Sequence, residues 1–390
     1  MTRGLEAMMR RISWAICLAG FLAFSLRAKE QVNISGYILA HYEQYLNEEG
    51  KYQVEETGGD YQLEGRGGYG AFQITRAYFT VKADLSDKLK VRLTTNAYTD
   101  EDGLSQVFLK YAYVEIRQVI PAHKIRFGLQ NPPWGEYIVR NYWRYRLVDK
   151  AFFDYWKFFS TADFGLGILG ELWEGKINYQ LAVLNGEGYK KIEQDRFKEY
   201  VGRISLDLGE KDKFRIIPSL GYSSHRWNDS DKFKDEVLMA GLGMDFWRIH
   251  LAGEYLQGVY TLPAGEYPMV GGRFPEGAVS ALEASSFPDR LLSEDKDIDY
   301  GGWAVYFNLS LPHQLNIFGR YDFYDPNLDS DYDNDAQEMW MAGICWHPHP
   351  SLWLTLDYRQ RNFQELDLDG DGIDELEPEQ IIYTHWKIAY

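Results

Sequence analysis

The stretch "LDLDGDGIDELEP" (366–378) has the residue types of a calcium loop. Asp367, Asp369 and Asp371 stand at positions one, three and five, Gly372 supplies the turn at six, and Glu375 follows at nine. Hard divalent cations take such oxygen ligands, but a helix–loop–helix site also needs a bidentate Glu at position twelve, where this chain has Pro378. The loop is therefore no EF-hand. A second acidic run, "DPNLDSDYDND" (325–335), spaces Asp329, Asp331, Asp333 and Asp335 by two. Two readings follow: weak calcium binding through Asp367, Asp369, Asp371 and Glu375, or solvated carboxylates that merely repel one another. No other cofactor is required by any residue pattern.

Catalytic patterns are weak. "GLGILG" (165–170) matches a dinucleotide fingerprint, yet Phe164, Leu166, Ile168 and Leu172 alternate as in a strand, where the motif needs a helix. The eight His residues show no metal-helix spacing, and no Ser stands in a nucleophile elbow. Ser205 and His250 are the pair a barrel hydrolase would need on a lipid-facing strand, and both take the opposite face. An enzyme is not expected.

The richer chemistry is cationic. Arg76, Lys90, Arg92, Lys124, Arg126, Arg203, Arg215, Arg248, Arg320, Arg359, Arg361 and Lys387 fall on the polar faces of alternating segments. Glu43, Glu171, Asp207, Asp245, Glu254, Asp322 and Asp357 fall there too. Cationic rings favour anions in pores, while interleaved carboxylates can instead pair across a lumen and hold its shape. The segment 131–161, "NPPWGEYIVRNYWRYRLVDKAFFDYWKFFST", joins Arg140, Arg144 and Arg146 to a dense set of aromatic rings. A loop of that length and apolar content must pack somewhere. Folding into a lumen would bury the rings and put the three arginines at a constriction; the competing reading is a surface interaction loop.

Strands must position these residues. In "KLKVRLTTNAY" (88–98) Leu89, Val91 and Leu93 oppose Lys90, Arg92, Thr94 and Asn96. "KIRFGLQ" (124–130) and "KINYQLAVLN" (176–185) repeat this period of two, which is a strand with one apolar and one polar side. Sixteen such segments are predicted, at 33–45, 72–83, 88–98, 106–118, 124–130, 162–173, 176–185, 198–208, 213–224, 236–246, 248–258, 299–310, 314–324, 337–347, 352–362 and 381–390. Connections after even-numbered segments are short, and those after odd-numbered ones are long and polar. That alternation is the pattern of an all-β transmembrane antiparallel barrel with short periplasmic turns and long extracellular loops. Lipid offers no backbone partners, so the sheet must close on itself. Segment 106–118 is ambiguous: the register that turns Glu115 and Arg117 inward sends Lys110 outward unless a bulge intervenes.

Composition agrees. Aromatics are 16% of the chain, with 29 Tyr, and mean hydropathy is −0.42, which excludes a helical membrane protein. Arg10 and Arg11 precede "ISWAICLAGFLAFS" (12–25), so residues 1–28 read as a signal peptide and 29–390 as the barrel. Without Cys17, only Cys345 remains and no intramolecular disulfide forms. Four of the 41 basic and one of the 58 acidic residues lie in 1–28, leaving 37 against 57, a net −20. Nucleic acid is not an expected partner.

The stretches "KIRFGLQNPPWGEY", "YRLVDKAFFDYWKFFSTADFGLGILGEL", "GKINYQLAVLNGEGY" and "FGRYDFYDPNLDSDYDNDAQEMWMAGICWHPHPSLWLTLDYR" resemble the phosphate-selective porin O/P family of Gram-negative outer-membrane porins. The likeness covers most of 29–390, loosely. It implies a sixteen-stranded homotrimeric channel in the bacterial outer membrane, with an inward-folded third loop. Expected partners are then outer-membrane lipid and lipopolysaccharide, and small hydrophilic solutes or anions. Phosphate sites in the family rest on a dense Arg ladder and a Lys cluster, whereas the basic residues here alternate with carboxylates. The expected function is a passive channel for small hydrophilic solutes, leaning to anions. The alternative is a plugged or surface-binding barrel.

Overall fold

The structure is a computed structural model. It describes residues 31–46, 51–57, 60–66, 68–99, 105–193, 195–210, 213–227, 232–264, 292–329, 336–363 and 378–390. The expected signal peptide and the carboxylates Asp367, Asp369, Asp371 and Glu375 lie outside these residues.

Sixteen antiparallel strands form the barrel. They are β1 (Val32–Tyr45), β2 (Gly70–Ser86), β3 (Leu89–Thr99), β4 (Ser105–Arg117), β5 (His123–Gln130), β6 (Asp163–Leu172), β7 (Ile177–Leu184) and β8 (Glu199–Leu206, continued as Leu208–Glu210). The second half is β9 (Phe214–Arg226), β10 (Lys234–Phe246), β11 (Ile249–Leu262), β12 (Lys296–Ser310), β13 (Leu315–Asp325), β14 (Gln337–His349), β15 (Leu352–Phe363) and β16 (Glu379–Ala389). Each strand pairs with its sequence neighbours, and β16 returns to β1 through pairs running from Tyr37–Ala389 to Tyr45–Ile381. Reciprocal backbone bonds between Gly36 and Tyr390, 3.0 and 3.1 Å, seal the seam. No edge is left to desolvate in lipid. Among the described residues no helix is long and apolar enough to cross a membrane.

The period of two sorts the faces. Ile38, Phe79, Leu93, Phe127, Leu181, Leu220, Leu242, Val305, Ile344 and Leu356 are exposed on the outside. In water that surface would be a continuous apolar patch, so it is a lipid-facing belt. Polar partners of the same strands point inward and are mostly buried.

Two features depart from the sixteen-segment reading, a hairpin and the place of Arg248, while the bulge that segment 106–118 called for is present. The first long loop carries its own hairpin, Lys51–Thr57 paired with Asp60–Arg66. A bulge opens in the β3–β4 ladder, where Thr94 pairs with Tyr111 and Thr95 with Leu109. The skipped residue is Lys110, so Lys110 and Tyr111 both point inward, at 3% and 7% exposure. Arg248 is not on the wall: it lies exposed in the tight turn between β10 and β11, beside Trp247, because the strand it was assigned to begins at Ile249.

Candidate functional site: the constriction and its vestibule

The β5–β6 connection turns into the lumen and forms two short helices, α1 (Gly135–Asn141) and α2 (Phe152–Tyr155). Trp134, Trp143 and Trp156 are at most 1% exposed, and Phe152 and Phe153 are fully buried. A ring that buries ~150–250 Å² at ~25 cal/mol per Å² gains about 4–6 kcal/mol before ordering entropy, which is enough to hold a long connection down. Trp156 stacks on Tyr324 at 5.0 Å, and Tyr145 on Phe318 at 4.6 Å. Inward folding is thus explained by the apolar content that the sequence showed.

The wall behind the loop is shaped to receive it. A side chain at Gly241 would overlap the Tyr142 ring, and one at Gly221 would stand 2.9 Å from Trp134. Trp143 Nε1 donates to the Asp149 carbonyl within the loop at 2.9 Å, and other buried polar tips find wall partners. Trp134 Nε1 donates to Glu254 at 3.1 Å, and Trp156 Nε1 to Asp322 at 2.8 Å. The Tyr142 hydroxyl donates to the Ile217 carbonyl at 2.9 Å and lies 2.8 Å from Ser219 Oγ. Arg203 Nε donates to the Pro133 carbonyl at 2.8 Å, and Arg320 reaches the Lys150 carbonyl.

This docking divides the cations into two sets. The set under or beside the loop is engaged in pairs. Arg320 and Asp322 are both fully buried and joined at 2.5 Å. Arg359 holds Asp149 of the loop at 2.6 Å, Arg361 meets Glu379, and Arg215 bridges Asp207 at 2.5 Å and Asp245 at 3.6 Å. Arg144 joins the same Asp245 at 2.8 Å, beside His250 at 2.9 Å. Arg144 is therefore an anchor to the wall. Ser205 and His250 both face inward but sit in separate networks, Ser205 on Ser219 and Arg203, His250 on Asp245 and the Tyr142 carbonyl. Lys387 lies over Trp353 at 4.2 Å. "GLGILG" is strand β6, with no helix after it.

The second set lines what the loop leaves open, along β1 to β5. A vestibule of about 370 Å³ at the short-turn end is lined by Lys82, Lys90, Arg92, Arg117, Arg126 and Arg140, against Asp84, Glu115 and Glu136. All three carboxylates are already paired. Asp84 meets Lys90 at 2.6 Å; Glu115 takes Arg117 at 2.5 Å and Arg126 at 2.8 Å; Glu136 takes Arg140, with Arg92 at 3.9 Å. Six cations over three carboxylates leave an excess of positive charge. Lys82, which makes no ion pair among the described residues, shares the parity of Arg76 and was readable from the strand pattern. Lys124 stands at the rim, 3.0 Å from Glu171.

Above the vestibule is the constriction. Arg146 bridges Asp154 at 2.6 Å, with Lys150, Arg76 and Lys110 in range of the same carboxylate. Burial works against the charge on Asp154, a loop residue, but Arg146 and then Lys150, Arg76 and Lys110 outweigh it and hold its carboxyl below the ordinary range. Asp154 thus stays anionic. Lys110 Nζ donates to Thr161 Oγ1 and lies 3.6 Å from the Tyr189 ring centroid. Arg76 covers Tyr78 at 5.3 Å, and its buried Nε has no hydrogen-bond partner. Lys110 was legible only conditionally, because its inward position depends on the bulge that the parity conflict in 106–118 pointed to.

No family model and no curated protein sequence matches the chain. Solved structures do match in shape. The chain is similar to an anion-selective porin from Comamonas acidovorans, at 10% identity and TM-score 0.59, covering 93% of this chain and 100% of that one. It has the fold of an outer-membrane porin. OmpF of Salmonella typhi, in complex with daunomycin, gives 12% identity and TM-score 0.59, with 92% and 97% covered. The trimer form of OmpT from Vibrio cholerae gives 8% and 0.56, with 93% and 100% covered. A closed porin-type barrel with a lipid-facing belt belongs in the bacterial outer membrane, so the short turns are periplasmic and the long loops extracellular.

Proposed function

We propose that this barrel is a passive channel for small hydrophilic solutes that favours anions. The observation that carries the reading is the surplus of cations on the open side: six over three in the vestibule, and Arg76, Lys110, Arg146 and Lys150 around Asp154 above it. Where water is scarce such charges are weakly screened, so they set which ion enters. The resemblance to phosphate-selective porins and the shape of the anion-selective porin support the direction. Phosphate as the preferred solute has weaker support, because the arginines nearest the loop are spent on carboxylates and carbonyls. A homotrimer is part of the same reading, supported by the trimer form of the Vibrio protein.

The test is the reversal potential of single channels in a salt gradient. A plugged barrel is the second reading, favoured by how completely the loop's rings are buried; a silent bilayer with folded, heat-modifiable protein would select it. Within the open-channel reading, Asp154→Asn removes the carboxylate that the constriction's basic residues surround. It should raise anion preference several-fold, and an unchanged reversal potential would place the permeation path away from Asp154.

The acidic loop is a separate proposal, carried by its sequence alone. Asp367, Asp369, Asp371 and Glu375 bind calcium weakly, with Kd on the order of 10⁻⁴–10⁻³ M as in extracellular modules, next to lipopolysaccharide that also needs divalent cations. Calorimetry should show the binding heat lost in Asp369→Ala; equal heats leave only solvated carboxylates.

A further inference from the structure

The open side of the lumen carries aromatic rings that a charge filter does not need. Asn96 pairs across the sheet with both Tyr78 and Phe108, so these two rings share one level, with Lys110 just below. Tyr98 stacks on Phe108 at 5.6 Å and 19°, and Tyr189 meets Phe108 edge-on at 6.4 Å. All four rings are only half-buried, unlike the loop's sealed Trp and Phe residues, and the exposed Lys190 lies over Tyr98 at 4.7 Å and Phe108 at 5.2 Å, a flexible side chain that a passing molecule can displace. Lys110 lies on the periplasmic side of that level and Arg76 on the extracellular side; neither makes a direct ion pair among the described residues, and both act on Asp154. Lys110 is 3% exposed and bonds only a hydroxyl and a ring face; Arg76 has its buried Nε unsatisfied.

We propose that the constriction binds monocyclic aromatic carboxylates, the ring among Tyr78, Phe108 and Tyr189 and the carboxylate on Lys110 and Arg76. Four basic side chains share the Asp154 carboxylate here, and a second carboxylate supplies both charge and charge-assisted hydrogen bonds. A neutral sugar would stack on the rings but add no charge to offset the basic residues that share Asp154. A small inorganic anion would satisfy the cations but leave the rings idle. Only a ligand with both parts uses the whole arrangement. This deepens the anion-leaning reading and rests on it.

The experiment compares block of chloride current by benzoate and by cyclohexanecarboxylate, equal in charge and similar in size. Benzoate should block at a concentration roughly two- to ten-fold lower, the range that aromatic pairing adds beyond buried area. Tyr78→Leu with Phe108→Leu should abolish that difference, and Tyr78→Phe should retain it. Equal block by the two acids in an anion-selective channel overturns this proposal while the channel reading stands. A cation-selective or silent channel overturns both.

Discussion

Deleting residues 140–150 should raise single-channel conductance by on the order of two-fold or more. The segment between α1 and α2 carries bulky side chains into the lumen of a sixteen-stranded barrel, which without them is wide enough for an aqueous channel. The deletion removes Tyr142, Trp143 and Tyr145, three buried rings that fix the loop to β9, β10 and β13. It also frees Asp245 and Arg359 from their loop partners Arg144 and Asp149. The barrel should persist, because its closure lies in the strand ladder and in the Gly36–Tyr390 seam. Heat-modifiable migration with enlarged conductance is the expected pair of results. An unchanged conductance in a folded barrel would mean that ions pass elsewhere.

Converting the constriction should have the second large effect. Arg146, Lys150, Arg76 and Lys110 surround Asp154 there. Arg76→Gln with Lys110→Glu replaces two of these basic side chains by a neutral one and an acidic one. A unit charge about 4 Å away contributes roughly 4 kcal/mol at an effective dielectric of 20, and each ~1.4 kcal/mol is ten-fold in a ratio. Even a partly screened remainder should cut the chloride-over-potassium permeability ratio about ten-fold or more. The change should be largest in dilute salt, where the screening length grows to ~30 Å at 0.01 M. Arg144→Glu should do something different. Its charge is spent on Asp245, so it should loosen the loop and lower thermal stability, and move selectivity less. If Arg144→Glu shifted selectivity more than the Arg76 and Lys110 pair, the division between anchoring and lining cations would be wrong.

Much of the fold was legible because each strand in a lipid-facing barrel must alternate, and no tertiary contact can override that. Segments 88–98, 124–130 and 176–185 map onto β3, β5 and β7 within a residue or two. The inward loop was legible from its aromatic content, since so many rings could not stay in water. Lys110 was legible only as a conflict of parity in 106–118, because one inserted residue reverses the faces and the sequence does not say where it sits. Nor could sequence say which arginines stay available. Arg144 and Asp245 are 101 residues apart, and Arg320 reaches Lys150 across 170. Those pairings exist only once the loop has docked. The wall glycines were a missed signal: Gly221 and Gly241 face inward where bulk would be expected, and each marks the seat of an aromatic ring.

The central claim is that the open side of this lumen selects anions, and the reversal potential of the unmodified channel across a ten-fold potassium chloride gradient tests it most directly. A potential displaced toward the chloride equilibrium value is the predicted result. A potential displaced toward the potassium equilibrium value would contradict it.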